Sequence, residues 1–271
     1  MPPTRTIPVG DAGFAILDQG PASGPCVVFS HSIMTTHAMW QGQVERLSRA
    51  GYRAIAYDAR GHGASVVSPA PYQLTQLADD VIGLLDAMGI ARAHFVGLSL
   101  GGMIAFDLAT RHPRRLCSAV ICDARADSPE SFARPWEERI ELAREQGMKA
   151  LASPTVARWF GAGFRESDPA RAIHRMLCET PVEGFVGTAR ALQDFDFRPG
   201  LDEVDLPMTL ICGENDGVLP AEMAALAHRI PGAVLEMIPA AGHLPNIENP
   251  TAFDAALMRH LARVAPIDRA P

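Results

Sequence analysis

The strongest constraint on this chain is an alternation. Short, fully apolar runs of strand length are separated by segments whose apolar residues recur at helical spacing, along most of the 271 residues. Cys26–Phe29 (CVVF), Arg53–Tyr57 (RAIAY), His94–Val96, Leu116–Cys122, Met208–Cys212 (MTLIC) and Val234–Ile238 read as strands, with Phe14–Leu17 an earlier one. Between them, Ala38–Ala50, Leu74–Met88, Leu100–Arg111, Ala221–Ile230 and Phe253–Val264 read as helices. In the second, Leu74, Leu77, Ala78, Val81, Leu84, Leu85 and Met88 make one apolar stripe, and Gly89 closes it. Strand runs without a polar alternate belong to sheets covered on both faces, and strand–helix alternation implies right-handed parallel crossovers. The expected class is therefore α/β, with a mostly parallel, doubly covered sheet.

The alternation stops between about Ala124 and Pro199. That stretch is helical and rich in Arg, contains Trp136 and Trp159, and has no buried-strand run. It reads as a helical cap, residues 124–199, inserted into a core made of residues 1–123 and 200–271; extra helices of the main domain are the alternative.

Net charge of −7 with scattered basic residues gives no field for nucleic acid, so no nucleic-acid partner is expected. No run approaches the roughly 20 apolar residues of a membrane span, and the first residues lack a signal-peptide core. Five cysteines in mostly apolar runs, odd in number and without a C-x-x-C pair, fit reduced core thiols. A cytoplasmic protein is expected, with no membrane partner; a homo-oligomer stays open.

Gly97-Leu98-Ser99-Leu100-Gly101 lies between a strand and a helix. A G-x-S-x-G turn in that setting lifts a strained serine hydroxyl above the sheet, and the glycines are needed where strand and helix pass closely. A serine hydroxyl is a weak nucleophile and requires a base, itself oriented by an acceptor. His243, in PAAGHLP, and Asp216, in GENDGV, each follow a strand, at the edge where open α/β sheets place their sites. Their chain order, Ser then Asp then His, is the one such an elbow demands. The expected roles are Ser99 as nucleophile, His243 as base and Asp216 as orienting acid. Taken singly, Asp216 reads better as a turn residue and His243 as a surface one, and only their joint order and strand-end placement favours the triad; Asp123, also after a strand, is the fallback acid. The oxyanion donors are expected from the N–H groups of Leu100, at the helix start, and Ile33, in the loop after CVVF. His31 reads as a structural hydrogen-bonding residue beneath that loop. The nine histidines show no metal spacing and Gly61-His62-Gly63 is no dinucleotide fingerprint, so no metal site is expected.

Taken together, HSIMTTHAMW, YDARGHGAS, GLSLGG, CGENDG and AGHLPNIENP resemble the α/β-hydrolase superfamily from about Phe14 to Leu261. Within it, SIMTTHAMW and the cap run WEERIELAREQGMKALASPTVARWF are most similar to 3-oxoadipate enol-lactonases of aromatic catabolism. The resemblance implies the α/β-hydrolase fold, the Ser99–Asp216–His243 triad, Ile33 and Leu100 as oxyanion donors, a small-molecule ester or lactone substrate and no cofactor. This chain departs from the pattern at His31, where Asn is usual, and Met34, where Gly is usual. Met34 is expected to intrude on the acyl pocket, lined also by Trp136, Arg139 and Trp159. Arg134, Arg139 and Arg158 of the cap are the candidate cations for a substrate carboxylate, a solvated surface charge being the first reading of each. The expected activity is serine hydrolysis through an acyl-enzyme. Carbon–carbon hydrolysis or perhydrolysis on the same triad, and a ligand-binding protein with little turnover, are the alternatives.

Overall fold

The computed structural model describes residues 4–264. Eight strands form one sheet: β1 (Arg5–Val9), β2 (Ala12–Gln19), β3 (Cys26–Ser30), β4 (Arg53–Tyr57), β5 (Ala93–Leu98), β6 (Leu116–Cys122), β7 (Met208–Gly213) and β8 (Val234–Ile238). Their spatial order is β1-β2-β4-β3-β5-β6-β7-β8, with β2 antiparallel to its neighbours and β3 through β8 parallel. Every residue of β3, β5, β6 and β7 is buried, which is what strands covered by helices on both faces require. Edge strands β1 and β8 are partly exposed.

Helices α1 (Gln41–Arg49), α2 (Leu74–Ala87) and α3 (Leu100–Arg111) make the early crossovers, while α8 (Leu219–Arg229), α9 (Pro245–Glu248) and α10 (Pro250–Arg263) accompany the last strands. Four helices, α4 (Glu130–Gln146), α5 (Met148–Trp159), α6 (Asp168–Glu179) and α7 (Val182–Ala191), fill the interval between β6 and β7 in which no strand was expected. The first crossover carries the chain from β3 to β4 on one side, and the next returns it to β5 on the other. That reversal between β3 and β5 opens a crevice beyond the carboxyl ends of the strands.

Sequence reading missed β1, because RTIPV contains a proline and lies half in solvent at the sheet edge, where apolar alternation is weak. It also placed one helix over residues 38–50. The chain forms a 3₁₀ turn at His37–Trp40, capped by the Thr36 hydroxyl on the Ala38 N–H, before α1 begins. There Trp40 packs between Phe29 of β3 and Phe253 of α10, with ring centroids 5.0 and 5.8 Å away, and this packing sets the bend.

Candidate active site

Ser99 sits between β5 and α3 with φ 54° and ψ −110°, a backbone conformation that L-residues rarely occupy and that is retained only when the surroundings enforce it. Here the enforcement is steric and hydrogen-bonded. A Cβ on Gly97 would stand 2.0 Å from the Gly101 carbonyl oxygen, and one on Gly101 would stand 2.3 Å from that of Ser30. The Ser99 N–H donates to Cys122 O at 2.8 Å, and the Gly101 N–H to His31 O at 3.2 Å. The elbow is thereby tied to the strands on both sides. Met103 N–H makes the first intrahelical bond, to Ser99 O at 2.9 Å; the Leu100 N–H lies ahead of it, among the helix-start donors that have no carbonyl a turn back.

The loop after β3 is braced from below by neutral imidazoles. His31 is fully buried: its Nδ1 donates to Ser32 O at 2.7 Å and its Nε2 accepts the Ala59 N–H at 2.9 Å. His62, whose ring centroid is 5.0 Å from that of His31, accepts the Met34 N–H on Nε2 at 3.0 Å and donates from Nδ1 to Arg60 O at 3.1 Å. Each imidazole thus has one acceptor and one donor nitrogen, a set only the neutral ring satisfies. Burial lowers the pKa of His31, and burial with His31 alongside brings His62 down to about 3. Met34 itself has φ 63°, and its carbonyl accepts from the Thr180 hydroxyl at 3.0 Å. A left-handed backbone carries a cost for methionine that glycine escapes, and the His62 and Thr180 contacts hold it there. Nothing in the sequence pattern singled out His62 or Thr180, because both act across long separations in the chain.

His243 and Asp216 come from the ends of β8 and β7. The imidazole Nδ1 donates to Asp216 Oδ2 at 2.7 Å, leaving Nε2 for the crevice. The loop carrying His243 is clamped to α5: its N–H donates to Trp159 O at 2.9 Å, and the Trp159 ring lies over the imidazole at 5.2 Å, tilted by 32°. Glu248 adds a second clamp, accepting the Gly242 and Gly161 N–H groups at 2.8 Å each. A Cβ on Gly242 would meet the Trp159 carbonyl at 2.4 Å.

Ser99, His243, Asp216, Ile33 and Met34 all line one cavity of about 310 Å³. Its far wall comes from the helices between β6 and β7, with Trp136, Arg139, Thr155, Arg158 and Trp159. That volume suits a small ligand. The Arg139 guanidinium lies 4.5 Å from the Trp136 ring, and burial together with nearby Arg158 lowers its pKa to about 10, so it stays charged at neutral pH. Arg158 stands more exposed, with Thr155 Oγ1 3.4 Å away. Neither guanidinium is paired with a carboxylate among the described residues. Arg125, a lining residue the sequence did not suggest, is paired with Asp127 and Glu222. Arg134 is exposed and does not line the cavity, so the expectation that it could meet a bound carboxylate is corrected: its position on α4 turns outward.

Asp123, the alternative acid, is a buried residue of the cavity lining and is not paired with His243, whose Nδ1 goes to Asp216. Its Oδ1 accepts the Gly213 N–H at 2.8 Å. Among the described residues no helix is long and apolar enough to cross a membrane.

A sequence profile described as the alpha/beta hydrolase family matches residues 27–256. The chain is 35% identical over 255 residues to 3-oxoadipate enol-lactonase 2 of Acinetobacter baylyi, covering 93% of this chain and 94% of that one. The crystal structure of the enol-lactonase from Burkholderia xenovorans superposes with a TM-score of 0.90 at 35% identity, over 96% of this chain and all of that one (100%). A thermophilic esterase from Thermogutta terrifontis, with malate bound, superposes with a TM-score of 0.90 at 29% identity, over 97% of this chain and 99% of that one. Fold, elbow setting and sequence agree: this chain belongs to the alpha/beta hydrolase family, and is a hydrolase.

Proposed function

We propose that the protein hydrolyses a small ester or lactone bearing a carboxylate, with 3-oxoadipate enol-lactone the leading substrate, through an acyl-enzyme on Ser99. The observation that carries this reading is the arrangement of one strained serine and one His243–Asp216 pair on a single small cavity. His243 Nε2 takes the Ser99 proton as Oγ attacks the carbonyl, and Asp216 holds the imidazole in the tautomer this needs. The Leu100 and Ile33 N–H groups receive the oxyanion. Collapse of the tetrahedral intermediate opens the ring or expels the alcohol, which takes a proton from His243. Water, deprotonated by the same imidazole, then releases the acid. No step calls for a cofactor.

Two guanidiniums on the cavity wall with no carboxylate partner among the described residues, Arg139 and Arg158, support a substrate with a free carboxylate, which could take charge-assisted hydrogen bonds from them. The enol-lactonase relatives and the malate in the thermophilic esterase agree with that chemistry. Met34, Trp136 and Trp159 would shape the acyl side. In this reading residues 124–199 are a cap over a core of residues 1–123 and 200–271; residues 1–3 and 265–271 at the ends of that division lie outside the described residues. The setting is a cytoplasmic enzyme of aromatic catabolism.

The test is direct. A fluorophosphonate probe should label the protein, and turnover of a p-nitrophenyl ester and of the enol-lactone should fall by more than about 10⁴-fold in Ser99→Ala, with labelling lost. Turnover that survives Ser99→Ala would remove the serine mechanism.

A further inference from the structure

An ionised carboxylate is costly to bury unless donors or cations surround it. Asp123 directly follows β6, is 1% exposed and has φ 44°. Its Oδ1 takes the Gly213 N–H, but Oδ2 is equally buried and accepts from no donor among the described residues. Gly213 bridges the two acids, its N–H going to Asp123 Oδ1 and its carbonyl taking the Asp216 N–H at 3.1 Å, and both side chains line the same cavity, so the carboxyl groups stand close together. Two negative carboxylates at that range repel, whereas a single proton between them turns repulsion into a short hydrogen bond.

The surroundings decide which carboxyl keeps the proton. Asp216 has the His243 Nδ1–H at 2.7 Å and the positive Arg158 nearby. Asp123 faces Asp216 and the thiols of Cys212 and Cys122, none of them a cation; Arg125, on the same cavity, is already paired with Asp127 and Glu222. We propose that Asp123 is a neutral carboxylic acid that donates its proton in a hydrogen bond to Asp216, and so is a positioning residue for the catalytic acid. Burial, then the Asp216 charge, raise the Asp123 pKa well above the usual carboxylate range, in keeping with this assignment.

The pair has a chemical consequence. The Asp123 O–H occupies one side of the Asp216 carboxylate and leaves Oδ2 directed at His243, fixing the imidazole. It also draws negative charge away from the oxygen that faces His243.

The inference rests on Asp216 being the triad acid, and two independent readouts separate it from that reading. Asp123→Asn retains an acceptor for Gly213 N–H and an N–H donor for Asp216. The acid limb of kcat/KM should stay within about 0.3 pH unit of wild type, whereas Asp123→Leu, without a donor, should raise it by about one unit. Infrared difference spectra with ¹³C-labelled aspartate should show a protonated-carboxyl stretch at neutral pH that is lost in Asp123→Asn. Absence of that band, or an acid limb lowered by about one unit in Asp123→Asn as expected from deleting a negative charge, would overturn the proposal. If Asp123→Leu fails to fold, the Asn variant and the infrared band decide alone. Full turnover in Asp216→Asn would defeat the triad reading instead, while the band would still report on Asp123.

Discussion

His62 offers the sharpest test of how this fold would hold the loop proposed to receive the oxyanion. Its Nε2 accepts the Met34 N–H at 3.0 Å, one residue beyond the Ile33 N–H assigned to the oxyanion, and its ring is wholly buried. With its pKa brought down to about 3, it is neutral across any assay near pH 7, so Nε2 stays an acceptor for Met34 while Nδ1 donates to Arg60 O. His62→Ala leaves the Met34 N–H without a partner, at a cost of about 1–3 kcal/mol. Outright loss of one oxyanion donor costs about 2.7–4 kcal/mol in the barrier. Here the Ile33 donor is displaced rather than deleted, and Thr180 still holds the Met34 carbonyl at 3.0 Å. The barrier should therefore rise by about 1.5–3 kcal/mol, a ten- to 150-fold loss of kcat/KM. The loss should fall on kcat, because the donor acts on charge that develops only in the transition state; KM should stay within about threefold. Gln places an amide oxygen where Nε2 stood, so His62→Gln should recover to within about fivefold of wild type. Pre-steady-state release of p-nitrophenolate reports acylation directly, on protein whose folding is checked by near-UV circular dichroism, since removing the ring should also cost about 3 kcal/mol of stability. A folded His62→Ala with acylation within twofold of wild type, or a Gln variant no better than Ala, would refute the reasoning.

Other expectations follow from the same geometry. Arg139→Met and Arg158→Met should each raise KM for a carboxylate-bearing lactone about tenfold while altering KM for a neutral p-nitrophenyl ester less than about twofold; equal effects on both substrates would sink the anion role. His260 is buried, with Nε2 2.7 Å from Ser118 Oγ and Nδ1 2.8 Å from Thr209 Oγ1, and burial pushes its pKa down to about 3. A depressed histidine contributes stability that is complete above its unfolded pKa near 6.5 and is lost as pH falls toward the folded value. His260→Gln should accordingly be less destabilising at pH 5 than at pH 7 by about 2 kcal/mol in urea unfolding; a pH-independent cost would place the proton elsewhere.

Much of this molecule was legible in one dimension, for a physical reason. Helix and strand periodicity report which face of a segment is buried, and a sheet covered on both sides writes itself as unbroken apolar runs such as CVVFS and LCSAVIC. The elbow was legible too, because Gly97 and Gly101 answer local clashes across a few residues. By contrast, β1 was silent because an edge strand needs no apolar alternation, and Pro8 argued against it. Contacts between distant stretches leave no periodic trace. Only the folded chain brings His62 under Met34, Trp159 over His243, and Asp123 onto Gly213 beside Asp216. The sequence by itself determined the layers, the crossovers and the strand ends where reactive groups gather. Tertiary structure alone decided which buried polar groups meet, since partnership depends on distances that close only when the sheet and its helices have packed.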